Sequence, residues 1–231
     1  RFNELSSSPL LGLVSLMDHA PGQRQFASLE AYRVYYQGKY QLDDAAMNAF
    51  MATQIDNSQR YSAEHRRAIA ASCRERGLAI ASHDDATVEH VAESHEYGTR
   101  VAEFPTTREA AEASHRAGMG VMMGAPNVVR GGSHSGNIAA AELVRLGVLD
   151  ILSSDYYPAA LLDAVFRIAA MEDGYDLPRA VATASRRPAE AVGLDDRGRI
   201  AQGLRADLVR VREVDGHPLV QRVWCAGRQV H

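Results

Sequence analysis

Three short apolar runs in this chain each end in a residue able to hold a metal ion: Leu13-Val14-Ser15-Leu16-Met17-Asp18-His19, Ile80-Ala81-Ser82-His83 and Ile151-Leu152-Ser153-Ser154-Asp155. Stretches of helical character separate them. Strands alternating with helices are the layout of a parallel α/β fold, because each parallel strand needs a long crossover to return the chain. Parallel strands end on one side of their sheet, so His19, His83 and Asp155 can be gathered there from distant sequence. A lone strand-end histidine more often satisfies a structural hydrogen bond than an ion. Three strand ends bearing His, His and Asp shift the balance toward a metal-dependent hydrolase.

The expected order begins with a strand ending at His19 and a Pro21-Gly22 turn. A polar and aromatic stretch over residues 23–60 reads as irregular helix, followed by a helix from Ala63 to Arg76 that stops at Gly77. A strand over Leu78–Ser82 leads to a helix capped by Asp85 or Thr87. Next come a strand over Thr99–Phe104, a helix to Ala117, a strand over Gly120–Gly124 and a loop over Ala125–Asn137. A helix to Leu146, a strand over Leu149–Ser153, and helices over Ala159–Met171 and Pro178–Ala184 complete this part. From Gly198 the texture changes to period-two alternation, at residues 200–203, 206–211 and 220–230, with a turn at Asp215-Gly216. This predicts a small antiparallel β appendage. The expected domains are residues 1–190 and 191–231.

Composition excludes several classes of partner. The net charge of −4 over 231 residues carries no basic block, so nucleic acid is not an expected partner. No apolar run approaches the length needed to cross a bilayer, and Arg1-Phe2-Asn3-Glu4 lacks the features of a signal peptide. Cys73 and Cys225 are too sparse for a disulfide framework. A soluble cytoplasmic protein without a membrane partner is the expectation. The chain does not start with Met and enters a strand within a few residues, so its amino terminus is expected upstream.

Imidazole and carboxylate ligands suit zinc, manganese, iron or nickel alike, leaving the divalent ion's identity open. Asp155 would also accept the proton of an activated water and return it to a leaving group. Asp84 or Asp85 reads either as a partner of His83 or as a helix cap. His65, His90, His95 and His115 fall in polar helical contexts and read as exposed. The stretch Arg130-Gly131-Gly132-Ser133-His134-Ser135-Gly136-Asn137 precedes an alanine-rich helix and has the makeup of a phosphate cradle. Its glycines admit a ligand to the backbone amides, and its side chains add donors and a planar cation. It lacks the Walker and dinucleotide patterns. Arg24, in the loop after His19, reads as a second positive contact or as a surface arginine.

The strings Val14–Phe26, Ala81–Thr87, Ala102–Thr107, the loop through Asn137, and Leu152-Ser153-Ser154-Asp155-Tyr156-Tyr157-Pro158 closely resemble the diphosphatases of phosphonate metabolism. These belong to the carbon–phosphorus lyase pathway and the amidohydrolase superfamily. The resemblance spans the whole chain, and Gly198–Val209 with Gly227–Val230 is similar to the superfamily's carboxyl-terminal β segment. It implies the carboxyl-terminal half of a deformed (β/α)8 TIM-like barrel with a divalent metal centre. His19 and His83 then match the ligands after the fifth and sixth strands, and Asp155 the aspartate after the eighth. The implied reaction is hydrolysis of ribose 1-methylphosphonate 5-triphosphate to the 5-phosphate and pyrophosphate. Arg130, Ser133, His134, Ser135, Asn137 and Arg24 become the phosphate contacts.

Two superfamily features are absent from the sequence: a first strand ending in a histidine pair, and a bridging carboxylate or modified lysine after a middle strand. The one lysine, Lys39, sits in a polar stretch unsuited to a barrel strand. These ligands are expected upstream of Arg1, so the chain is expected to need an amino-terminal half or a homo-oligomeric partner to close its sheet. Two other readings stay open. One is a non-catalytic fragment that keeps only the anion-binding loop. The other is a related amidohydrolase acting on a cyclic amide or aminated base, against which the basic Gly/Ser loop argues.

Overall fold

A computed structural model describes residues 2–26, 28–133 and 136–231. The chain divides into two compact units, Arg1–Ala113 and Ser114–His231. The boundary expected after residue 190 lies inside the second unit.

The first unit opens with a single helical turn, α1 (Phe2–Leu5), and a strand, β1 (Leu13–Leu16). Pro21 and Gly22, the latter at φ 80, occupy the centre of a turn closed by the Gln23 N–H donating to the Ala20 carbonyl. That is the type II pattern, in which Pro presets the first central residue and Gly takes the left-handed second. Two helices follow, α2 (Leu29–Tyr40) and α3 (Asp44–Glu75). Ser28 caps α2 by accepting from the Ala31 N–H, and Asp43 caps α3 by accepting from Ala46.

Here the structure departs from the sequence reading. The helix expected to start at Ala63 instead runs unbroken for 32 residues from Asp44. No Gly or Pro interrupts Asp44–Glu75, and the polar run Gln54–Arg60 hides the helical period because most of it faces solvent. Packing between α2 and α3 is aromatic: Tyr32, Tyr36 and Met47 are buried, with Phe26, Leu42, Phe50 and Met51 against them.

After Gly77, at φ 68, the chain enters β2 (Ala79–His83), then α4 (Val88–Glu96), β3 (Val101–Glu103) and α5 (Arg108–Arg116). Of the two caps considered for α4, Thr87 holds the position and accepts from the His90 N–H. β1 pairs parallel with β2, Leu13 opposite Ala79 through Leu16 opposite Ser82. β2 pairs parallel with β3, ending on His83 opposite Glu103. Leu16, Ala70, Cys73 and Ile80 form the core that packs α3 onto this sheet, with Phe2, Val14, Ile69, Leu78 and Tyr97 around it. Burying a Leu or Ile in this way contributes about 1.5–3 kcal/mol each.

In the second unit β4 (Gly120–Gly124) continues directly into α6 (Ala125–Arg130), followed by α7 (Ala140–Arg145) and β5 (Ile151–Ser153). The expected loop over Ala125–Asn137 is thus half helix. Pro126 lies in the first turn of α6, where its missing N–H costs nothing, and Gly131 at φ 85 ends the helix. β4 and β5 pair parallel, Met122 opposite Ile151 through Gly124 opposite Ser153.

Next come α8 (Ala160–Ala170), α9 (Leu177–Thr183) and the unforeseen short α10 (Arg186–Ala191). The appendage is a hairpin of β6 (Leu208–Val214) and β7 (His217–Cys225), extended by β8 (Arg228–Gln229). Asp215 at φ 52 and Gly216 at φ 76 give the turn two left-handed residues, as a two-residue type I′ hairpin demands. Residues 200–203 form no strand, and 202–203 lie in a turn closed by the Leu204 N–H donating to the Ala201 carbonyl; without a paired neighbour their alternation is not enough.

Met47 is fully buried between α2 and α3. Met47→Ala is expected to destabilise the first unit by about 2–5 kcal/mol, read as a lower urea midpoint at unchanged slope.

Candidate metal centre

His19 follows β1 by three residues, in a turn set by its neighbour. Asp18 accepts from the Ala20 N–H at 3.0 Å and from the Ser58 hydroxyl at 2.7 Å, which ties the turn to α3. Burial works to raise the Asp18 pKa, but hydrogen bonds from Ser58, Ser62 and Ala20 and the nearby Arg66 outweigh it and hold the carboxyl below its usual range.

His83 closes β2 and is anchored from both neighbouring strands. Its Nδ1 lies 3.0 Å from Glu103 Oε2 on β3, and Ser15 on β1 donates to that same oxygen. A carboxylate on Nδ1 puts the ring proton there and leaves the Nε2 lone pair available. Burial opposes a charge on the His83 ring, but the Glu103 hydrogen bond and the negative field of Asp84, Glu103 and Asp85 raise its pKa overall.

Asp84 carries the ladder one residue further, its N–H donating to the Glu103 carbonyl at 2.9 Å. It does so at φ 56, a left-handed conformation that Asp tolerates better than most residues. The turn aims its carboxylate back at both rings: Oδ2 is 3.5 Å from His19 Nε2 and 3.4 Å from His83 Nε2. Ligand atoms of His19, His83 and Asp84 all lie within 4.8 Å of one another. His19 Nε2 and Asp84 Oδ2 are buried without a hydrogen-bond partner. Electron-rich atoms brought together out of water, with nothing between them, fit a bound divalent cation.

The third predicted ligand, Asp155, belongs to the second unit. It follows β5 at φ 49, its N–H donating to Ser153 Oγ at 3.1 Å. Its carboxylate lies on Gly124 at the end of β4, where a Cβ would come within 2.9 Å of Oδ2.

The predicted phosphate contacts are distributed as follows. Arg130 ends α6, exposed, with Nη2 donating to the Tyr156 hydroxyl at 3.4 Å. Ser133 and Asn137 are half-buried in the connection to α7; His134 and Ser135 lie outside the described residues. The first N–H of α7 donates to Asn127 Oδ1 at 2.9 Å.

Arg24 corrects both of its sequence readings. It is buried, its guanidinium paired with Asp85 and Glu93 and 3.3 Å from Ser94 Oγ, so it is neither a surface arginine nor free for phosphate. Asp85 belongs to this internal network and not to a helix cap. Lys39 rests 5.5 Å from the ring centres of Tyr35 and Tyr40 on α2.

Sequence reasoning left Asp84 undecided and missed Glu103. The signals were present: an aspartate abutting a strand-end histidine, and one acid at the end of the apolar run Val101-Ala102.

Residues 13–231 match the model of the Amidohydrolase family. The chain is 57% identical over 230 residues to the alpha-D-ribose 1-methylphosphonate 5-triphosphate diphosphatase of Escherichia coli, covering 99% of this chain and 61% of that relative's length. Among solved structures, an adenosine deaminase from Xanthomonas campestris with bound zinc shares the fold at a TM-score of 0.52 and 16% identity, over 94% of this chain and 59% of the other. An amidohydrolase from Thermotoga maritima does so at 0.52 and 15%, over 95% and 62%. The architecture is accordingly part of an amidohydrolase (β/α)8 barrel with a small antiparallel sheet.

Glu103→Gln is expected to weaken divalent-ion binding about 10- to 100-fold, read by competition with a chelator, because Nδ1 loses its carboxylate. Gly124→Ala is expected to leave the chain folded by circular dichroism while lowering any activity that depends on Asp155, because the added Cβ displaces its carboxylate. The chain belongs to the amidohydrolase family.

Proposed function

We propose that this chain carries part of the active site of a metal-dependent diphosphatase that hydrolyses ribose 1-methylphosphonate 5-triphosphate to the 5-phosphate and pyrophosphate. The observation that carries this reading is the meeting of His19, His83 and Asp84 at the strand ends, with His19 Nε2 and Asp84 Oδ2 unpartnered. The 57% identity to a diphosphatase supports the choice of substrate. The chain spans less than two thirds of that relative, and the remaining ligands of the centre are proposed to come from residues outside this sequence.

His19, His83 and Asp155 are the proposed ligands, and Asp84 joins them on the strength of its geometry. The divalent ion they would hold supplies Lewis acidity toward phosphoryl oxygens and activates water. Glu103 keeps the His83 ring in one tautomer and orientation. Asp155 accepts the proton of the attacking water and returns it to the pyrophosphate leaving group. One water is consumed, and the bond between the α-phosphorus and the bridging oxygen to the β-phosphate breaks. Arg130, Ser133, His134, Ser135 and Asn137 hold the phosphates, with the Arg130 guanidinium offering two parallel donors. The expected setting is the cytoplasm, and no helix among the described residues is long and apolar enough to cross a membrane.

The complete enzyme is expected to release pyrophosphate from this substrate, to lose that activity on chelation and to regain it on adding a divalent ion. Asp155→Asn is expected to lower kcat about 10²- to 10⁴-fold. Arg130→Gln is expected to raise KM with the ion still bound, measured by metal analysis alongside kinetics. A wild-type enzyme that releases no pyrophosphate in the presence of any divalent ion overturns the proposal.

A further inference from the structure

A cavity of about 650 Å³ lies beside His19, bounded by the exit of β1 and by residues of α2 and α3. Because His19 lines it, a molecule entering it reaches the candidate metal centre. The same cavity is lined by Arg66 of α3, which is only 8% exposed. Arg66 Nη1 lies 3.4 Å from both carboxylate oxygens of Glu93, while Nε and Nη2 are buried with no hydrogen-bond partner. Those two nitrogens share one edge of the planar guanidinium, the edge that can grip two oxygens of a phosphate-like group together.

A buried donor without an acceptor costs about 1–3 kcal/mol, more when it carries charge, so this edge favours a ligand that brings its own oxygens. The acid lining the cavity, Asp18, is already held by the Ala20 N–H and the Ser58 hydroxyl. Elsewhere the lining offers half-exposed phenols at Tyr40 and Tyr61 and the amide of Asn57. Flat rings with polar tips suit a hydroxylated sugar.

We infer that this cavity receives the phosphonate-bearing end of the substrate, with the Nε/Nη2 edge of Arg66 binding the phosphonate oxygens. The inference rests on the proposed function and deepens it, since it concerns the end of the molecule that does not react.

The test compares kcat/KM of the complete enzyme on two substrates: the methylphosphonate triphosphate, and the methyl riboside 5-triphosphate, in which a methoxy group replaces the phosphonate. Wild type is expected to prefer the first by about 10²-fold, as loss of two hydrogen bonds to a charged group implies. Arg66→Gln is expected to erase that preference, mainly through KM, and to change the second substrate less than about threefold. Arg66→Lys, which keeps the charge but not the two-pronged edge, is expected to retain part of the preference and serves if the Gln variant does not fold.

Equal losses on both substrates would make Arg66 a purely structural partner of Glu93 and overturn the inference. So would a wild type indifferent to the phosphonate. If wild type cleaves neither substrate, the functional reading fails separately. Calorimetry with methylphosphonate then decides: binding weakened at least tenfold in Arg66→Lys upholds the anchor, and unchanged or absent binding overturns it.

Discussion

The pairing of His83 with Glu103 across the end of β2 and β3 is the contact on which the rest of the site depends. The parallel register puts these two residues opposite one another, and Ser15 of β1 donates to the same carboxylate. With Nδ1 engaged, the ring presents Nε2 to Asp84 and, across it, to His19. Three adjacent strands thus orient a single imidazole. A side chain held by regular strand pairing loses little further freedom on engaging a partner, which is the physical advantage of placing functional groups at strand ends.

Strain and charge gather around the same turns. Asp84 and Phe104, each just past a strand, adopt positive φ, a conformation that costs non-glycine residues free energy and that surrounding structure must hold in place. Phe104 makes this constraint useful: its ring meets His83 edge-on at 5.6 Å and covers the imidazole. Beneath the turns, Arg24 joins Asp85 to Glu93, and Arg66 reaches Glu93 from α3. Breaking one partner of such a buried network leaves an uncompensated charge, so the Arg24–Asp85 pair holds the loops that carry His19 and Asp84 in place.

Much of this was legible in the chain. Short apolar runs, Gly77 and Gly118 at helix ends, Thr87 as a cap and Asp215-Gly216 as a hairpin turn are local signals, and each acts in the structure as its chemistry demands. The long α3 was only half legible, since a helix exposed on most faces shows no clear apolar stripe. α10 was not seen at all, because a six-residue helix has too few turns to display a period.

The sequence by itself determined which residue types stand at the strand ends, the alternation that makes the strands parallel, and, through long shared strings, membership of a family. Tertiary structure alone decided that Asp84 faces two imidazoles, that Glu103 anchors one of them, and that Arg24 serves an internal ion network instead of a ligand. The physical reason is that a residue's partners across a parallel sheet are set by register and by the crossover helices. His83 and Glu103 are twenty residues apart and Ser15 is sixty-eight from His83. No local pattern encodes such distances; only the packed sheet closes them.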